Sequence, residues 1–147
     1  MSIQQQLTDE MKVAMKAKDS LRLTTIRMAR TALKNAEIEA REELSAEAAI
    51  KVLSTLVKQR REAAEAYRKT RPELAEKEEL ELKVLQEFLP AQLSEVEIGE
   101  IVDKAIAESG ASSMKEMGQV MKLVTAQTTG RADGKLVSQL VRSKLAG

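Results

Sequence analysis

The sequence predicts an all-α protein: an N-terminal long-helix hairpin region followed by a small C-terminal three-helix domain. Three observations carry this expectation. Ala, Leu, Glu, Lys, Gln, Arg and Met, the best helix formers, dominate the composition. Apolar residues recur at helical spacing, and no strand-like alternation persists. Helix start and stop signals fall between the periodic segments.

The elements follow in order. Residues 2–18 place Ile3, Leu7, Met11, Ala14 and Met15 at helical spacing. Asp19 is a suitable N-cap for a second helix running to about Leu44, with a core stripe of Ile26, Ala29, Leu33, Ala36 and Ala40. Ser45 caps a third helix to about Lys69, with Ile50, Leu53, Leu56, Val57, Ala64 and Tyr67 as its stripe. Pro72 suits the first turn of a fourth helix, where its missing N–H is not needed. Pro90 stops that helix near Leu89, because the residue before a proline avoids helical backbone. Residues 1–90 form the N-terminal helical domain in this reading, and 94–147 the C-terminal three-helix domain. Ser94-Glu95-Val96-Glu97 is a capping box for a fifth helix that ends at Gly110. Ser113-Met114-Lys115-Glu116 reads as a second capping box, with Met114, Met117, Val120, Met121 and Val124 buried behind it. Gly130 suits a left-handed C-cap and Asp133 an N-cap. The last helix puts Leu136, Val137, Leu140, Val141 and Leu145 on one face.

Composition excludes whole classes of chemistry. The chain has no Cys and no His, which removes disulfides, thiolate nucleophiles, common zinc sites and His-based acid–base catalysis. No metal or cofactor is expected, and an independent enzyme would have to use Ser, Thr, Lys or carboxylates. Tyr67 and Phe88 are the only aromatics, so a base-stacking platform is not expected. Net charge is only +1, but its distribution is uneven. Met11–Lys34 holds seven Lys/Arg against one Asp, whereas Glu73–Glu87 holds six Glu against two Lys. No apolar run has membrane-spanning length and no signal-like segment opens the sequence, which predicts a cytoplasmic protein.

Four features are candidates for function. On the second helix Arg27, Arg30, Lys34 and Arg41 share a 60° sector at 100° per residue. This basic ridge reads either as a track for a phosphate backbone or as a solvated flank. On the third helix Arg60 projects into the apolar stripe, as Glu78 does on the fourth; a structural ion pair between them would satisfy both. Gly118 inside a helix suggests close approach of another backbone, either the neighbouring helix or a ligand. Gly130-Arg131-Ala132-Asp133-Gly134-Lys135 has the makings of a phosphate cradle, with Arg131 and Lys135 supplying charge. The same residues also make an ordinary capped turn.

The strings Lys115-Glu116-Met117-Gly118-Gln119-Val120-Met121-Lys122 and Gly130-Arg131-Ala132-Asp133-Gly134-Lys135-Leu136-Val137 resemble the C-terminal tail of the GatB/YqeY family. Met15-Lys16-Ala17-Lys18-Asp19, Lys34-Asn35-Ala36-Glu37-Ile38, Lys58-Gln59-Arg60, Arg71-Pro72-Glu73-Leu74 and Leu85-x-x-Phe88-Leu89-Pro90 extend the resemblance to the YqeY branch over nearly the whole chain. Phe88 stands where that pattern has Tyr. In this family the same tail ends the B subunit of the glutamyl/aspartyl-tRNA amidotransferase, where it is implicated in holding tRNA near its elbow. A similar module is fused to some glutaminyl-tRNA synthetases. The family's larger relative carries the activity of a carbon–nitrogen ligase with glutamine as amido-N-donor. The segments that perform that chemistry have no counterpart here, so no catalytic residue is assigned.

The resemblance therefore implies a tRNA-binding accessory module for tRNA-dependent amidation or aminoacylation. The RNA-binding candidates are Arg131, Lys135, Arg142, Lys144 and Lys122, with Arg27, Arg30 and Lys34 as a secondary ridge. tRNA is the expected partner, with an aminoacyl-tRNA synthetase or amidotransferase as a possible second one; neither membrane nor DNA is expected. The competing reading is a helical protein–protein adaptor docking on a tRNA synthetase or amidotransferase.

Overall fold

The computed structural model describes residues 1–146. Among the described residues it is all-α: α1 (Ile3–Ala17), α2 (Ser20–Ala40), α3 (Ala46–Tyr67), α4 (Pro72–Gln86), α5 (Glu95–Ser109), α6 (Met117–Thr128) and α7 (Gly134–Ala146), with a 3-10 turn at Met114–Glu116. No helix is long and apolar enough to cross a membrane. The chain forms two compact units, Met1–Pro90 and Ala91–Gly147.

In the first unit, side-chain caps set the helix starts. Ser2 accepts from the Gln5 N–H, Asp19 from Arg22 and Ser45 from Ala48, each satisfying an N–H that the helix itself leaves open. Pro72 opens α4 without any side-chain cap. α2 ends at Ala40 rather than near Leu44, because Arg41 turns left-handed at φ 60°. Two further carboxylates, Glu42 and Glu43, would sit unfavourably at a helix C-terminus. The Glu37 carboxylate instead accepts the Leu44 N–H at 3.3 Å and fixes the turn into α3. Similarly α4 ends at Gln86, and Glu87, Phe88 and Leu89 continue in tighter turns up to Pro90.

The core of this unit joins Leu7 of α1, Ile26, Ala29 and Leu33 of α2, Ala49, Leu53 and Val57 of α3, and Val84, Leu85 and Phe88 at the end of α4. Met15 and Ala40 lie outside it, both exposed. Arg22 ties three elements together. Its guanidinium bonds Glu10 on α1 at 3.1 Å and Glu87 after α4. The hydrogen bond to Glu87 is the main reason that Arg22 holds its proton more tightly than usual.

In the second unit the α5 capping box is complete: the Glu97 N–H donates to Ser94 Oγ at 3.1 Å, and the Ser94 N–H to Glu97 Oε1 at 3.0 Å. Those contacts, chiefly the Ser94 N–H, hold the Glu97 carboxyl below its ordinary 4.5. Gly110, at φ 69°, closes the helix. The expected capping box at Ser113 does not form. Glu116 turns away to accept the Ser112 N–H at 3.1 Å, Ser113 makes no side-chain cap, and the chain enters α6 through a 3-10 turn. Met114 is consequently 40% exposed instead of buried. The core is Ile98, Val102 and Ala105 of α5, Val120 and Val124 of α6, and Val137, Val141 and Leu145 of α7, with Met117 and Met121 partly buried beside them.

Candidate nucleic-acid interface

Helix α2 buries Thr25, Ile26, Ala29 and Leu33 and turns its opposite face outward. On that face Arg27, Arg30, Thr31, Lys34, Asn35 and Arg41 are all exposed. Ile38 shares the face at 65% exposure, while Leu23 is half-buried. No carboxylate occurs between Ser20 and Ala36; Glu37 and Glu39 follow in the last turn of the helix, and neither forms an ion pair with Arg27, Arg30 or Lys34 among the described residues. Arg30 leans on α1, with Nη1 3.0 Å from Met11 Sδ. An open hollow of about 650 Å³ lies between α1 and α2, lined by Gln4, Thr8 and Met11 on one side and by Arg27, Arg30, Thr31, Lys34 and the carboxylate of Glu37 on the other. A second hollow, of about 500 Å³, is lined by Thr24, Arg27, Met28, Thr31, Ala32 and Asn35.

The tail residues are differently placed. The turn after α6 is stitched to the segment before α5. The Leu93 N–H donates to Arg131 O at 2.7 Å, and Gln92 Nε2 to Gly130 O at 2.9 Å. Gly130 takes φ 80°, which lets the chain reverse there. The half-buried Arg131 side chain points to backbone carbonyls of Ala91 and Gln127 at 3.5 and 3.4 Å. Three of the donors that a phosphate cradle would use are engaged within the turn. The N–H groups of Arg131 and Ala132 both donate to Thr128 O, and that of Lys135 to Asp133 Oδ1 at 3.1 Å. The Asp133 carboxylate thus occupies the position at the α7 N-terminus that an anion would take. Lys144 Nζ is 2.8 Å from Asp103 Oδ1 on α5. Lys122 and Arg142 are exposed, with no ion pair among the described residues.

Arg60 lies 3.5 Å from Glu78, but Glu81 is nearer, with Oε2 2.8 Å from Arg60 Nε. The buried Nε–H is aligned with neither oxygen, so these are ionic contacts without a hydrogen bond. Nη2 reaches Met28 Sδ at 3.6 Å. Glu81 is 7% exposed and escaped the sequence reading, although it lies three residues after Glu78 on the same helical face. Gly118 has no close neighbour: a Cβ built there meets nothing within 4 Å, so no backbone approaches it. Thr31 and Asn35 were also missed; the signal that could have found them is the carboxylate-free stretch around them. No group of acidic residues with metal-holding geometry occurs among the described residues.

Comparison with known proteins adds the evolutionary context. The family model of the Yqey-like protein matches residues 4–145. The chain is 32% identical over 146 residues to the Altered inheritance of mitochondria protein 41, mitochondrial, of Vanderwaltozyma polyspora, covering 94% of this chain and 79% of that protein. It is 39% identical over 87 residues to the protein of the same name from Eremothecium gossypii, covering 58% of this chain and 48% of that protein, so it spans about half the length of that relative. It is also 39% identical over 88 residues to the E subunit of the glutamyl-tRNA(Gln) amidotransferase of Thermococcus gammatolerans, covering 56% of this chain and 14% of that relative. The yeast relatives carry a mitochondrial designation, which leaves the expected cytoplasmic location without support from them. With the family model matching from residue 4 to residue 145, the chain belongs to the YqeY-like protein family.

Proposed function

We propose that this protein is a tRNA-binding accessory module, related to the tail of tRNA-dependent amidotransferases and acting without a catalytic centre of its own. The observation that carries the reading is a set of outward cations with no carboxylate partner among the described residues: Arg27, Arg30 and Lys34 on α2, and Lys122 and Arg142 on α6 and α7. Such cations bind a phosphate backbone by displacing its condensed counterions. The likeness to part of a tRNA-dependent amidotransferase supplies the RNA class. Among the tail residues, Lys122 and Arg142 become the preferred contacts. Arg131 and Lys144 are held by local partners, and Lys135 is engaged at the α7 N-terminus through its backbone. The adaptor reading receives no comparable support. The exposed large apolar side chains on helices, Val13, Met15, Met28, Ile38, Leu80, Val96 and Leu123, are spread over five of them.

Filter binding with total tRNA across a salt series tests the proposal. Binding should weaken steeply with salt, and Lys122→Ala/Arg142→Ala should flatten the dependence by about 1.4–1.8 units of log–log slope for two lost phosphate contacts. Absence of tRNA binding at low salt would refute the function.

A further inference from the structure

We propose that α2 is a duplex-reading helix: its crest Arg27–Thr31–Asn35, flanked by Arg30 and Lys34, seats in the shallow groove of an A-form RNA stem. This rests on the RNA-binding reading above and specifies which RNA and which helix. The first support is shape. Arg27, Thr31 and Asn35 line both hollows beside α2. The α2 residues that line only one hollow fall on opposite flanks of the helix: Arg30, Leu33, Lys34 and Glu37 on one, Thr24, Met28 and Ala32 on the other. The crest is therefore a convex ridge between two depressions, not the floor of a pocket, and a ridge of this kind fits a groove.

Charge and hydrogen bonding give the second support. Arg27, Arg30 and Lys34 advance about 10 Å along the helix, a length over which one strand of a duplex presents several phosphates. Between them stand neutral groups suited to the ribose. Thr31 Oγ1 gives its proton to Arg27 O at 2.9 Å, which leaves its lone pairs to accept from a hydroxyl. The Asn35 amide makes no side-chain hydrogen bond among the described residues, so both its donors and its acceptor face outward. The accessible groove of an RNA helix is wide, shallow and lined with 2′-hydroxyls, whereas single strands are held by stacking on aromatic rings. The crest has no ring. Phe88 is buried and Tyr67 lies on α3.

The test uses the full chain and fluorescence anisotropy with three probes: an RNA hairpin with a continuous stem, the same sequence as a DNA hairpin, and an unstructured RNA of equal length. The RNA hairpin should bind tightest. Arg27→Gln/Arg30→Gln/Lys34→Gln should weaken it at least about tenfold and lower the log–log salt slope by about 2–3. Thr31→Val/Asn35→Ala should leave the slope intact and reduce the preference for RNA over DNA severalfold. Helical circular dichroism identifies any variant that fails to fold; for those, single substitutions at Arg27 and Asn35 replace the combinations and carry the same expectations at smaller size. Wild-type affinity in the glutamine variant, or equal binding of the DNA or unstructured probe, overturns the inference. If tRNA binding survives the glutamine variant but not Lys122→Ala/Arg142→Ala, the proposed function stands and this inference falls. If the wild-type chain binds no tRNA, both fall.

Discussion

Replacing Arg60 by Met keeps most of the aliphatic volume and removes the guanidinium from between Glu78 and Glu81. The side chains of Arg60 and Glu81 are 14% and 10% exposed, and that of Glu78 is 22% exposed. At an effective dielectric of about 20, separations of 2.8 and 3.5 Å correspond to gross attractions of about 6 and about 5 kcal/mol. Desolvation of the three ions offsets most of this, so the net worth of the cluster is small. Removal of the cation alone is a different matter, because the two carboxylates then lie together with the Glu81 side chain largely shielded from water. Arg60→Met should destabilise the first unit by about 3 kcal/mol, the low end for breaking a buried pair, since Glu78 retains some solvent. Glu78→Gln should lose no more than about 1 kcal/mol. The triple variant Arg60→Met/Glu78→Gln/Glu81→Leu should return to within about 1 kcal/mol of the parent. Urea unfolding read by tyrosine fluorescence reports this unit specifically, because Tyr67, on the same helix as Arg60, is the only tyrosine. The reasoning fails if Arg60→Met changes stability by less than about 0.5 kcal/mol, or if the triple variant is as unstable as the single one.

Further substitutions probe the second unit and the first core. Gly118→Ala should stabilise by about 0.5 kcal/mol, since no neighbour opposes a Cβ and the residue sits in the first turn of α6; a loss of stability in thermal unfolding would point to a contact at that glycine. The lowered Glu97 carboxyl contributes stability that is complete above about pH 4.5 and lost as pH falls through its lower folded value. The melting-temperature advantage of the parent over Glu97→Gln should therefore shrink between about pH 6 and pH 3; an advantage that grows on acidification would contradict the capping account. Leu53→Ala, at a fully buried position, should lose about 2–5 kcal/mol in denaturant unfolding. Lys144→Ala should disturb tRNA binding less than Arg142→Ala, because Asp103 already holds Lys144; the reverse order in filter binding would show that this pair opens.

Local signals made most of the fold legible. Asp19, Ser45 and Ser94 cap the helices that the sequence assigns to them, because an N-cap needs only its own side chain and the next few N–H groups. Where the reading slipped, a second local partner competed. Glu116 chose Ser112 over the capping box, and Arg41 closed α2 before Leu44. The candidate surface was less legible. The basic sector of α2 follows from helical phase, but whether a given cation is paired depends on helices far away in the chain.

The sequence by itself determined the all-α class, every helix start it assigned except that of α6, the two apolar cores in outline and the family, since these rest on spacing and composition along one segment at a time. Only the tertiary structure decided which charges are committed. Asp103 reaches Lys144 from another helix, and Glu10 and Glu87 converge on Arg22 from opposite ends of the first unit. Glu81 takes the closer place beside Arg60, and in the tail turn the N–H groups of Arg131, Ala132 and Lys135 are taken by Thr128 O and Asp133 Oδ1. The physical reason is common to all of these. Electrostatic partnership depends on distance and burial in three dimensions, which periodicity along a helix does not encode. It left the cations on the crest of α2 exposed and tied the glycine-rich turn of the tail into local hydrogen bonds.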